Sequence, residues 1–205
     1  DSKLFLYNFQ NQTLNEISLN WNIDHPMNAH VSPDGSKLVF MGVPPGQHTY
    51  SSWDIYLWDF SQNEPINITN NTNITDEDPK FSPSGNNIVF KQNQDIKIMD
   101  LSGNIISTLT NDGSTIEESM PYYTTDGQKV VFMNNISSQS SINIINTNGT
   151  NNQTLENAAS IQEMYPIVID STTFLYTRWV SASDFHDQIY LGYFSGSTAL
   201  NLPFN

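Results

Sequence analysis

One strand phrase recurs five times in the 205 residues and constrains the fold more than any other feature. Its copies are KLFLYNF from residue 3, DIYLWDF from 54, DIKIMDL from 95, SINIINT from 141 and QIYLGYF from 188. Successive side chains of a strand point to opposite faces, so this alternation of Ile, Leu and aromatics marks a half-buried strand. Turn-forming runs follow the copies, as in SQNEP, SGN and TNGTN. A unit repeated at this spacing cannot cover its own apolar faces and must stack on its neighbours.

A second phrase precedes four of the five strands: SPDGSKLVF (32–40), SPSGNNIVF (82–90), TTDGQKVVF (124–132) and IDSTTFLY (169–176). Each reads as strand, tight turn, strand. Gly35, Gly85 and Gly127 suit the positive backbone angle of such a turn, and Pro33 and Pro83 pre-set its entry. The last copy is one residue shorter and has Ser171 in place of the glycine, so its turn is expected to differ. Four strands, a to d, in roughly 40–50 residues is the period of a propeller blade. The expected fold class is all-β, a β-propeller of four-stranded antiparallel blades in a single domain. Four full blades (24–70, 75–110, 117–155 and 163–205) follow an N-terminal half-blade (1–18), forming a five-bladed ring or a fragment of a larger propeller. The half-blade lacks an a–b pair, so open blade edges invite self-association or closure by another chain.

The succession of SPDGSKLVF and DIYLWDF resembles the TolB-like, WD-repeat-like propeller repeat of bacterial envelope proteins, over almost the whole chain. Similar blades build the propellers of prolyl-oligopeptidase-type enzymes and of oligogalacturonate lyases. The TolB resemblance implies a non-catalytic module for protein–protein interaction, acting through loops around the channel mouth. It also implies a periplasmic or extracellular location. The lyase resemblance implies a third role, β-elimination from acidic sugars at a histidine-bound divalent metal. The residues that carry both likenesses are turn and core residues, so they speak to fold more than to chemistry.

Asp and Glu number 21 against 7 Lys and Arg, giving a net charge of −14. A phosphate backbone would be repelled, which sets nucleic acid aside as a partner. The chain has no cysteine, which excludes disulfides, thiol catalysis and Cys-based zinc sites. No apolar run reaches transmembrane length, and Asp1 leads directly into a strand, as expected of a mature or trimmed product. G-x-S-x-G, P-loop and G-x-G-x-x-G motifs do not occur.

In a propeller, strand a lines the centre and strand d the outside, so the d–a and b–c connections share one face. That face is expected to bind the ligand. Its d–a connections bring Asp24, then Asp76, Glu77 and Asp78, then Glu117 and Glu118, then Glu163. A carboxylate ring would receive a basic segment of a protein partner. It also offers oxygen ligands to Ca²⁺ or another divalent cation, with Asp76, Glu77 and Asp78 as the metal candidates, although no cofactor is required. The long b–c connections (41–53 and 177–188) add His48, Tyr50, Trp53, Arg178, Trp179, Phe185 and His186, and strand a adds His25 and His30. Rings beside amides and carboxylates suit a carbohydrate ligand, because rings stack on sugar faces while polar groups fix hydroxyls. Packing is the competing role for Trp53, which begins a strand c.

Overall fold

The computed structural model describes residues 2–46, 52–71, 73–113, 115–137, 139–158, 161–181 and 184–202, without the side chains of 180, 181 and 184–186. Every regular element among them is a strand. An N-terminal hairpin pairs β1 (Phe5–Asn8) with β2 (Thr13–Glu16). Blade 1 follows as β3 (Asp24–Val31), β4 (Lys37–Val43), β5 (Asp54–Asp59) and β6 (Ile66–Asn67), and blade 2 as β7 (Asp76–Phe81), β8 (Asn87–Gln92), β9 (Asp95–Asp100) and β10 (Ile105–Thr108). Blade 3 comprises β11 (Ile116–Tyr123), β12 (Lys129–Ile136), β13 (Gln139–Asn146) and β14 (Gln153–Glu156). Blade 4 comprises β15 (Gln162–Val168), β16 (Thr173–Ser181), β17 (Asp184–Tyr193) and β18 (Leu200–Leu202). Each sheet runs in chain order and is antiparallel throughout, so the chain is an all-β propeller of four blades preceded by a two-stranded sheet.

The second strand of each blade reads as an unbroken apolar run because both of its faces are covered. Val39 packs with Phe81, Ile88 and Phe90 of blade 2, whereas its neighbour Phe40 packs with Leu4, Ile17 and Trp21 beside the hairpin. Val89 in turn meets Tyr123, Val130 and Phe132 of blade 3, and Val131 meets Val168, Phe174 and Tyr176 of blade 4. The core is therefore a row of inter-blade layers and not one central cluster. Phe40, Phe90, Phe132 and Tyr176 hold equivalent places in four blades and are all buried. Truncating any one to Ala leaves a cavity that costs about 3–5 kcal/mol.

The repeated SPDG-type phrase makes the turns between first and second strands. In blade 1 the Gly35 amide donates to the Ser32 carbonyl at 2.9 Å, and the Asp34 carboxylate accepts from the Ser36 amide at 3.0 Å and the Ser32 hydroxyl at 2.6 Å. Gly35, Gly85 and Gly127 all have positive φ. The fourth turn differs as its sequence requires: Asp170 Oδ1 accepts from the amides of Thr172 and Thr173, and no residue from 169 to 173 is left-handed.

Contacts between blades run from 1 to 2, 2 to 3 and 3 to 4. Among the described elements, none of blade 4 packs to a comparable extent against blade 1 or the hairpin. The described residues contain no helix long and apolar enough to cross a membrane.

Candidate functional site

The inner strands of the four blades converge, and each slips register at the same point. The slips fall between Met27 and His30, Glu77 and Lys80, Ser119 and Tyr122, and Met164 and Ile167. The bulged residues Asn28, Asp78, Met120 and Tyr165 all have φ of 53–54°. Asn and Asp tolerate this left-handed backbone, but Met and Tyr carry a Cβ penalty of roughly 1–2 kcal/mol each. Residues held in such a conformation cluster at functional sites. Pro79, Pro121 and Pro166 follow three of the four bulges; Ala29 follows the fourth.

These bulges surround a cavity of about 200 Å³. Asn28, Asp78, Met120 and Tyr165 line it together with Lys80, Tyr122, Ile167, Pro121 and Pro166. Side chains bridge the blades at its wall. Asn28 Nδ2 donates to Asp78 Oδ1 at 2.6 Å, and Asp78 Oδ2 accepts from the Met120 amide at 3.1 Å. One level along, the His30 Nδ1 accepts from the Phe81 amide at 3.1 Å, and the ring stands edge-on to Tyr122. Burial, reinforced by the nearby charge of Lys80, lowers the His30 pKa to about 4, so the ring is neutral near pH 7.

Of the residues expected from sequence to bind ligand, His30 stands beside this cavity, and the others disperse. His25 packs edge-on against Trp53, which is buried with Met41 and Val43. Trp53 thus serves the packing of blade 1. Arg178 clamps Glu163 through Nη2 at 2.6 Å and Nε at 3.1 Å, approaches Glu156 at 3.7 Å and lies 4.3 Å from the centre of the Tyr190 ring. Its guanidinium is thus engaged by acids of blades 3 and 4. Trp179 is half-buried on β16, in register with Gln162 and Asp187. His48 and Tyr50 lie outside the described residues, and Phe185 and His186 fall on β17 with side chains outside the description.

The expected ring of free carboxylates is not what the inner strands present. Asp76, Glu118 and Glu163 are fully buried at equivalent places, where each ties one blade to the last. Their amides bond to the Trp53 carbonyl at 2.8 Å, the Gln94 carbonyl at 2.9 Å and the Ser140 hydroxyl at 2.7 Å. The proposed metal trio also diverges. Asp76 accepts from Asn71 and Gln92, Glu77 pairs with Lys91 at 3.1 Å, and Asp78 serves Asn28 and Met120. Among the described residues, no three acidic or histidine side chains converge so as to hold a metal ion.

Sequence reasoning passed over Asn28, Met120, Tyr122 and Tyr165. A signal for them existed: the dipeptides Asp78-Pro79, Met120-Pro121 and Tyr165-Pro166 each stand at one fixed distance before the turn phrase.

Comparison with known proteins agrees with this architecture. Residues 32–125 match the family model of the dipeptidyl peptidase IV (DPP IV) N-terminal region. No curated protein matches the chain in sequence. Among solved structures, a TolB protein of Agrobacterium tumefaciens superposes with a TM-score of 0.77 at 18% identity, over 97% of this chain and 73% of its own. TolB of Acinetobacter baumannii gives 0.74 at 20% identity, over 98% of this chain and 48% of its own. Hydrazine synthase of Kuenenia stuttgartiensis gives 0.68 at 14% identity, over 99% of this chain and 60% of its own. At these identities the likeness is one of fold, and the fold is a TolB-like β-propeller.

Proposed function

We propose that the chain is a non-catalytic binding module of the bacterial envelope or the cell exterior, which receives a segment of another protein against its inner strands. The carrying observation is the strained, partly apolar wall of the central cavity. Met120 and Tyr165 are held left-handed there, and Tyr165, Ile167 and Ile169 stay half-exposed along the inner edge of blade 4. Strain of this kind costs stability, and a contact surface for a partner is the role that accounts for it. The TolB likeness supports the envelope location.

The test is a displayed-peptide library selected on the immobilised protein. Selected peptides are expected to bind Tyr165→Ala and Ile167→Asp roughly tenfold more weakly, and Asp34→Ala, on the turn face, as tightly as the parent. Peptides indifferent to the inner-strand substitutions would overturn the reading. The same wall sets two tyrosines beside an amide, a carboxylate and an ammonium, the side-chain set that also grips sugars. Retention on immobilised polysaccharides, lost in Tyr165→Ala, would replace the protein ligand with a carbohydrate.

A further inference from the structure

Lys80 is the cation of the central cavity, and its surroundings are unlike those of the other basic groups. Lys3, Lys37, Lys91 and Arg178 each form an ion pair with a carboxylate, and Lys97 donates to the Gln92 side chain. Lys80 faces the cavity, is half-buried, and donates only to the Pro79 carbonyl at 3.2 Å. No carboxylate lies within ion-pair distance of it among the described residues. Asp78, whose charge acts on Lys80, already has one oxygen on Asn28 and the other on the Met120 amide. An ammonium taken partly out of water is costly until an anion and hydrogen-bond acceptors meet it. Burial accordingly lowers the Lys80 pKa, while the charge of Asp78 opposes that fall. His30, neutral near pH 7, adds no second cation.

Apolar groups dominate the rest of the lining: Met120, Pro121, Pro166 and Ile167, with the ring of Tyr122. One ammonium set in an apolar wall selects a carboxylate carried on an apolar stem. Of the acids expected at the mouth to receive a basic segment, Asp76, Glu118 and Glu163 are buried, and Asp78 is engaged by Asn28 and the Met120 amide.

We propose that the central cavity is a carboxylate-binding site, in which Lys80 Nζ pairs with an acid group flanked by apolar residues of the partner segment. This rests on the inner strands being the binding surface. The acid group is either the terminal carboxylate of a chain ending in an apolar residue or an Asp or Glu side chain within it.

Isothermal titration calorimetry with three probes tests the assignment: acetyl-Gly-Ala-Leu as free acid, the same peptide as its amide, and acetyl-Ala-Leu-Glu-Leu-Ala-amide. One of the two acids is expected to bind the full chain with a Kd on the order of 0.1–1 mM. The amide should bind roughly tenfold more weakly. Lys80→Met and Lys80→Gln should abolish the preference for acid, while Lys129→Met, at the exposed start of β12, should leave it intact. Two Lys80 substitutions of different polarity, each checked by its melting transition, separate lost binding from lost folding. Preference for the free acid identifies a terminal carboxylate, and preference for the Glu peptide identifies a side chain. Binding of the amide as tight as that of the better acid, an acid preference that survives Lys80→Met, or no binding by either acid at millimolar concentration would each overturn the site. Library peptides that still depend on Tyr165 would then uphold the binding surface without its carboxylate chemistry.

Discussion

Glu118 uses its two oxygens unequally. Thr110 Oγ1 donates to Oε2 at 3.0 Å, whereas Oε1 is buried without a partner. Burial raises the pKa to about 7 from 4.5, and the charges of Asp112 and Asp95 add to the rise. In the unfolded chain the group ionises near 4.5, and in the fold near 7. Its contribution to stability is therefore whole below pH 4.5 and lost as the pH rises through 7. Glu118→Gln keeps the acceptor for Thr110 and is neutral at every pH. Denaturant unfolding should find it more stable than the parent by about 1–2 kcal/mol at pH 8 and level with it at pH 4.5. An identical difference at both pH values would show that this carboxyl does not titrate between them. His30 works in the opposite direction, since its lowered pKa makes stability fall as the pH drops from 6.5 towards 4. The comparison must therefore be between variant and parent at each pH, and not along the parent's profile alone.

Turns between strands carry different loads even where their residues look alike. Gly35 and Gly103 both have positive φ, at 71° and 86°. A Cβ on Gly35 would meet nothing within 4 Å, but one on Gly103, in the β9–β10 turn, would run into the Ile68 carbonyl of blade 1. Gly35→Ala should cost only the left-handed penalty, about 1 kcal/mol, and lower the Tm by roughly 2–4 °C. Gly103→Ala has to move the backbone of a neighbouring blade as well and should cost more than about 3 kcal/mol. Equal melting temperatures for the two variants would refute the close approach. At this scale much of the structure was legible in the sequence. Alternation placed the strands, and the spacing of Gly35, Gly85 and Gly127 placed the first three turns. The bulges were marked only by the recurring residue–proline spacing, because a residue before proline ordinarily reads as extended and a register slip leaves no mark on composition. The burial of Asp76, Glu118 and Glu163 was not legible. An acidic connector looks solvated until the blade that covers it is in place.

Among the described elements, the row of blades has two unlike ends. The hairpin packs on Phe40 and Tyr56 through the flanking Leu4 and Ile17, and it leaves Phe5 (52% exposed), Phe9 (86%) and Leu14 (63%) open. An apolar pocket of about 370 Å³ lies between the hairpin and blade 1, lined by Leu6, Ala29, Val31 and Trp58 among others. Exposed apolar surface of this extent predicts concentration-dependent association of the 23.1 kDa chain. Sedimentation equilibrium should show a mean mass that rises above the monomer over roughly 1–100 μM, and Phe5→Lys with Leu14→Glu should restore the monomer. A constant monomer mass across that range would refute it. The inner-strand bulges acquire a further meaning at this scale. A propeller's innermost strands are sheet edges, and open edges are templates for amyloid-like pairing. At Pro79, Pro121 and Pro166 the edge lacks an amide hydrogen just where it is already kinked, so an invading strand meets a break halfway along. Blades 2, 3 and 4 are thereby guarded against misassembly. Blade 1, with Ala29 at that position, keeps its amide, and it is the blade that borders the N-terminal hairpin.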